Sequence, residues 1–165
     1  MSGFTLTLKG APSLRLDLLG VTPAALAALS AAEGERQTVG HGNALLPLAE
    51  FFRVAARSDD VLVLQGELSR CDHVGWQMDG GTLLVEGPVG DYAGGGMKAG
   101  AMAVKGHAGD LAACEMAGGA LDIAYHASTG KVRFLECRDG RPLAAQRDDA
   151  GPVSPEMAAR AFADQ

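Results

Sequence analysis

Three aspartates recur at a fixed spacing and are the first candidates for chemistry in this sequence. Asp72, Asp91 and Asp110 are 19 residues apart. Carboxylates stacked on successive turns of a repeating fold could bind a cation such as calcium. The glycine- and aspartate-rich nonapeptide of calcium-binding solenoids is missing, however. We therefore favour a structural role, in which each carboxylate accepts hydrogen bonds from backbone amides in its own turn.

The histidines do not form a recognisable metal site. They are His41, His73, His107 and His126. A metal site needs ligands that converge, and His73 and His107 occupy different positions in the repeat. These residues are therefore expected on the surface or in turns, and no metal is predicted for this chain.

The cysteines indicate neither zinc nor disulfides. Cys71, Cys114 and Cys137 are an odd, widely spaced set without CxxC spacing, which is typical of reduced cytosolic thiols. Cys71 aligns with Gly90 and Gly109, and Cys114 aligns with Gly95, so both are expected to be small corner residues. The sequence also lacks a Ser/His/Asp signature, a phosphate-binding loop and a dinucleotide fingerprint. We predict no catalytic residue in this chain.

The aspartates belong to a longer repeat between Ser69 and Tyr125. Its three segments read SRCDHVGWQMDGGTLLVEG, PVGDYAGGGMKAGAMAVKG and HAGDLAACEMAGGALDIAY. The methionine column is Met78, Met97 and Met116; the glycine columns are Gly81, Gly100 and Gly119, then Gly87 and Gly106. The apolar pairs are Leu83/Val85, Met102/Val104 and Leu121/Ile123.

Glycine at the corners and one short apolar strand per period predict a mainly β chain that forms a right-handed parallel β-helix. Successive coils of such a solenoid lie roughly 4.8 Å apart. The apolar pairs and the methionines should then stack inside, while alternate residues point outward and place Glu86 above Lys105. A flexible glycine-rich linker would not keep these columns in register.

Residues 1–57 are predicted to form an αβ cap on the open end of the solenoid. Phe4–Lys9 and Leu14–Leu18 alternate apolar and polar residues, which predicts a β-hairpin. Thr22 is expected to cap a helix that begins at Pro23, continues to Ala32 and stops at Gly34.

The entry to the solenoid is partly ambiguous. Gln37–Gly40 reads as an extended segment before a tight turn at Gly40–Asn43. Leu45–Val54 is compatible with a strand or with a short helix after Pro47. Val61–Gly66 is predicted to be an entry strand. We place the solenoid as a whole at residues 58–125.

Residues 126–165 depart from the repeat. Lys131–Glu136 and Pro142–Gln146 read as two strands joined by a turn at Arg138–Arg141, and Ser154 starts a last helix that ends near Ala163. This tail either caps a naturally short solenoid or belongs to a truncated or frame-shifted version of a longer protein.

Composition restricts the class of protein. The 165 residues include 23 glycines and carry a formal net charge of −6. An acidic chain lacks the basic face that general nucleic-acid binding requires. No export signal and no apolar run of membrane-spanning length is found, so a cytoplasmic location is expected.

The repeat resembles a known family. The spacing of Gly90, Gly94, Met97 and Gly100 before the strand Ala101–Gly106 is similar to that of the GXGXG β-helix family. That family includes the C subunit of formylmethanofuran dehydrogenase, the matching subunit of the methylotroph formyltransferase/hydrolase complex, and a domain of the large glutamate synthase subunit. The likeness to the C subunit extends over roughly residues 1–125.

The resemblance to the C subunit implies a non-catalytic scaffold in one-carbon metabolism. Such a scaffold supports formyl transfer between tetrahydromethanopterin and a methanofuran-type carrier, or, in methanogen relatives, an oxidoreductase that uses molybdenum or tungsten. It implies that metal and cofactors are held by partner subunits and that this chain binds none. Lys98, Lys105 and Arg70 would be available to an acidic carrier.

Two other functions stay open at this point. The chain could be a structural domain like that of glutamate synthase, or a free-standing β-solenoid binding module. The module hypothesis predicts a monomer whose tail covers the last coil at Leu121–Ile123.

Overall fold

The apolar columns of the repeat form a stack of parallel strands. A computed structural model of the chain describes residues 3–126, 131–138 and 141–148, with side chains over residues 3–123. Leu62, Leu83, Met102 and Leu121 lie in one register across four neighbouring strands. Leu64, Val85, Val104 and Ile123 form a second column, and all eight side chains are buried. The predicted parallel β-helix is confirmed.

Two sheets contain all the strands of the described residues. The strands are β1 Phe4–Leu8, β2 Leu16–Asp17, β3 Thr38–His41, β4 Ala44–Pro47, β5 Phe52–Ala56, β6 Val61–Gln65, β7 Cys71–Asp72, β8 Asp79–Glu86, β9 Ala99–Ala108, β10 Gly119–His126, β11 Lys131–Arg138 and β12 Arg141–Asp148. The larger sheet runs in the order β12-β11-β10-β9-β8-β6-β1-β5 and the smaller in the order β4-β3-β2-β7.

The predicted N-terminal hairpin is wrong. β1 does not pair with β2 but lies between β6, to which it is parallel, and β5, to which it is antiparallel. β2 pairs with β3 and β7 in the other sheet. The reason is burial, because this position places Phe4 and Leu6 in the core at 1% and 0% exposure.

Two short helices replace the predicted single one. Helix α1 (Pro23–Leu26) begins after Thr22, whose side chain accepts a hydrogen bond from the Ala25 amide as expected. The chain then breaks and restarts as α2 (Ala31–Arg36), so the predicted stop at Gly34 lies inside a helix. The cause is a capping box, in which the Ser30 hydroxyl accepts from the Glu33 amide and the Glu33 carboxylate accepts from the Ser30 amide.

The ambiguous segment before the solenoid contains both predicted alternatives. β3 and β4 form a hairpin that turns at Gly42 and Asn43. A 3₁₀ turn at Leu48–Glu50 follows Pro47, and β5 then begins at Phe52. None of the helices in the described residues is long and apolar enough to cross a membrane.

The C-terminal strands close the stack. β11 pairs antiparallel with β10, and β12 pairs antiparallel with β11, as the predicted hairpin requires. The predicted last helix, from Ser154, lies outside the described residues. The division of the chain at residues 57 and 125 stays a prediction.

One predicted cross-strand pair does not form. Glu86 Oε2 accepts a hydrogen bond of 2.7 Å from Gln65 Nε2 on the preceding strand. No ion pair joins Glu86 to Lys105 in the described part of the chain. The amide of Gln65 therefore takes the place predicted for the lysine.

Candidate functional site: the coil corners and the groove beside the cap

The three aspartates form a ladder that joins successive coils. Asp72 Oδ1 accepts a hydrogen bond of 2.8 Å from the Asp91 amide, and Asp91 Oδ1 accepts one of 2.9 Å from the Asp110 amide. The predicted bonds within each aspartate's own turn are therefore wrong. Stacking at strand spacing brings the amide of the next coil into reach. Gly90 must lack a side chain here, because its β-carbon would collide with the Asp72 carboxylate.

The first carboxylate of the ladder is paired with the cap. Arg15 binds Asp72 with two hydrogen bonds, Nε to Oδ2 at 2.8 Å and Nη2 to Oδ1 at 2.5 Å. Burial raises the pKa of Asp72, but the hydrogen bonds from Arg15 and the Asp91 amide outweigh it and lower the pKa overall. No cluster of three or more metal-ligating side chains is found in the part of the chain that the structure describes. The ladder is thus built to hold amides and a guanidinium.

The methionine and glycine columns serve packing. Met78 and Met97 are fully buried, and Met116 packs against the core from a partly buried position. The first glycine column, Gly81, Gly100 and Gly119, has φ of 78°, 91° and 81°. In the second column, β-carbons at Gly87 and Gly106 would meet the backbone of the preceding coil. The coils approach too closely there for any side chain.

Each coil turns through residues with positive φ, which the sequence analysis missed. Non-glycine residues hold this conformation at His73, Gln77, Tyr92, Leu111, Ala113 and Glu115. At two of these positions other coils have glycine, also with positive φ: Gly75 and Gly94 are equivalent to Ala113, and Gly96 is equivalent to Gln77 and Glu115. The only sequence signal was the glycine at some of these positions, and it is absent from the third coil.

Aromatic rings stack along one corner. The rings of His73 and Tyr92 lie 4.9 Å apart and nearly parallel, with Trp76 edge-on to both. His73 Nδ1 lies 2.9 Å from Asp17 Oδ1, so the cluster also connects the first coil to the cap. Trp76 lies over Gly95, where a β-carbon would come within 2.5 Å of the indole ring. The available sequence signal for this contact was Gly95, which occupies in the second coil the position that Trp76 occupies in the first.

An open groove lies between α1 and the first coil. It has a volume of about 580 Å³, and its lining includes Leu19, Thr22, Ala25, Trp76, Gln77 and Asp79. Leu19 is 46% exposed although it is apolar. We call this surface the Trp76 groove. It was not predicted, because its two walls are about fifty residues apart in the sequence.

Among the residues whose side chains the structure describes, His41, Cys71 and Cys114 lie apart from one another and form no common site. His41 lies in the β3–β4 hairpin, and its Nε2 accepts a hydrogen bond of 3.3 Å from the Leu14 amide. Cys71 is buried, and this burial raises the pKa of its thiol to about 12. Burial also raises the pKa of Cys114. Both thiols are protonated at neutral pH, which makes them poor nucleophiles.

A buried carboxylate, Asp122, was missed. It follows Val63, Leu84 and Ala103 in an outward-facing column that the sequence analysis placed in solvent. Asp122 is 2% exposed, and neither of its oxygens has a hydrogen-bond partner among the described residues. Burial raises its pKa to about 6. The apolar residues earlier in the column were the signal that this face is covered.

Comparison with known proteins shows what the chain is similar to. No profile of a protein family matches it. It is 40% identical over 86 residues to the C subunit of the formyltransferase/hydrolase complex Fhc of Methylorubrum extorquens. It is 33% identical over 97 residues to the C subunit of the tungsten-containing formylmethanofuran dehydrogenase 2 of Methanothermobacter marburgensis. The chain resembles the C subunit of these complexes.

A solved structure supports the same resemblance. The crystal structure of the Methylorubrum extorquens complex FhcABCD with methylofuran contains a chain that matches this one with a TM-score of 0.68 and 38% identity. The match covers 74% of this chain and 46% of that one. The alignments to the two curated relatives cover 52% and 56% of this chain but only 32% and 36% of the relatives. The chain therefore spans about a third of the length of each of these curated relatives and just under half of the matching crystal-structure chain.

Proposed function

We propose that this chain is a non-catalytic scaffold subunit of a formyltransferase/hydrolase-type complex in one-carbon metabolism. The observation that carries the proposal is the similarity to one chain of FhcABCD, at 38% identity and a TM-score of 0.68. In this role the chain supports formyl transfer between tetrahydromethanopterin and a methanofuran-type carrier, while partner subunits hold the metal and bind both carbon carriers.

The site geometry is compatible with a scaffold. The carboxylates of the ladder are engaged with backbone amides and Arg15, and the two described cysteines have raised pKa values. No nucleophile lies beside the pair of His73 and Asp17 among the contacts of the described residues.

Co-expression with the other three subunits of such a complex tests the proposal. The expected result is stoichiometric co-elution of this chain with those subunits in size-exclusion chromatography. A matched preparation with the full-length C subunit of Methylorubrum extorquens serves as the positive control. Elution of this chain alone, while the control assembles, would contradict the proposal.

One observation favours a second candidate, a free-standing binding module. β11 covers the edge of the last parallel strand, with Leu121 and Ile123 opposite Leu135 and Arg133. A closed edge is what a self-contained solenoid requires. A monodisperse monomer that stays apart from the other three subunits is the outcome that this candidate predicts.

A further inference from the structure

The Trp76 groove has an aromatic wall and an uncommitted carboxylate. The indole of Trp76 contacts the ring of His73 edge-on and lies over Gly95. Asp79 is exposed and makes no hydrogen bond or ion pair with any residue that the structure describes. Trp76 and Asp79 line the same groove, and the exposed side chain of Leu19 lies on its other wall.

The lining of the groove carries one charged side chain, the carboxylate of Asp79. No lysine or arginine belongs to its lining. Lys98 stands one repeat after Asp79 but lies beyond ion-pair distance from it. The negative charge of the groove lining thus favours a cationic group as its occupant.

We propose that the Trp76 groove binds an arginine side chain presented by a segment of a partner protein. A planar guanidinium can stack on the indole of Trp76 and pair with the carboxylate of Asp79 at the same time. An apolar neighbour of that arginine would pack against Leu19. The proposal rests on the proposed function in one respect, since it takes the partner to be another subunit of the complex.

The single tryptophan makes the groove directly observable. Trp76 is the only tryptophan in the chain, so its fluorescence reports on this site alone. We expect saturable quenching by the peptide acetyl-Leu-Arg-amide and none by acetyl-Leu-citrulline-amide, which has the same shape without the charge. Asp79→Asn should weaken binding at least about threefold, in line with a modest loss of electrostatic attraction. An equal response to both peptides, or no response, would overturn the proposal.

Assembly provides the second test. Asp79→Arg should reduce co-elution with the other three subunits, whereas Asp60→Arg, at an exposed turn outside the groove, should not. Thermal melts of both variants verify that the fold is intact. Normal assembly of Asp79→Arg overturns the groove proposal and leaves the scaffold function standing. If the unmodified chain does not assemble either, the scaffold function fails, and the peptide titration still decides what the groove binds.

A second copy of the chain is the competing occupant. Light scattering of the unmodified chain and of Asp79→Arg distinguishes the two cases. A dimer that dissociates in the variant would show that the groove takes another copy, and this would overturn the proposal.

Discussion

Asp122 places an ionisable group where the fold has no partner for it. Its pKa of about 6 is above the ordinary value near 3.9, so the folded state binds a proton more tightly than the unfolded state does. The folded state is therefore favoured when Asp122 is protonated. This advantage is complete below about pH 4, is lost as pH rises through about 6, and amounts to about 3 kcal/mol.

The prediction for Asp122 concerns the pH dependence of stability. Asp122→Asn should remove this penalty, so that the variant gains stability relative to the unmodified protein between pH 4 and pH 7. The free energy of unfolding of both proteins, measured by urea denaturation across this range, gives the difference, in which all other titrations cancel. A difference that does not change with pH would contradict the assignment.

Glu115 carries a backbone cost that its counterpart in the second coil avoids. Its φ is 55°, and the equivalent Gly96 has a φ of 62°. Glu115→Gly should be more stable than Glu115→Ala by about 1 kcal/mol, because only glycine adopts this conformation without strain. Both variants lose the same exposed side chain, so their denaturation midpoints isolate the β-carbon. Equal midpoints would mean that the corner is not strained.

At the scale of elements, the ladder connects coils through side chain and backbone. Asp91→Ala removes the acceptor for the Asp110 amide and should destabilise the protein by about 1–2 kcal/mol. Asp91→Asn keeps an acceptor oxygen and should cost much less. Asp79→Ala is the matched control, since that exposed aspartate accepts no such bond, and chemical denaturation of the three variants ranks them. A similar loss in all three would show that the ladder bond contributes nothing specific.

The repeat made the solenoid predictable, and the cap was harder to predict. A fixed period places Leu83, Met102 and Leu121 in one column without any knowledge of long-range contacts. β1 offers no such guide, because its partners β5 and β6 lie about fifty residues further on. The capping box at Ser30 and Glu33 was a readable local signal for the helix break.

The candidate site was less predictable than the fold. The column that contains His73 and Tyr92 follows from the repeat, but the Trp76 groove needs α1 to pack beside the coil. The pairing of Arg15 with Asp72 likewise joins residues from the cap and the coil. Sequence periodicity reports which residues stack within the solenoid, and it carries no information on what the cap brings to it.

At the scale of the whole molecule, the stack of parallel strands is flanked at both edges by antiparallel strands. β5 lies beside β1 at one edge, and β11 and β12 lie beyond β10 at the other. Parallel edges expose unpaired amides and carbonyls that promote further pairing. In the described residues, these antiparallel strands cover both edges of the parallel stack.

The ladder also suggests an order in which the coils fold during synthesis of the chain. Asp72 reaches forward to the second coil and Asp91 to the third, and the cap fixes Asp72 through Arg15 before either is needed. A chain leaving the ribosome therefore finds, at each new coil, a template already in place. We expect damage to the cap to affect every coil, and damage to the last coil to stay local.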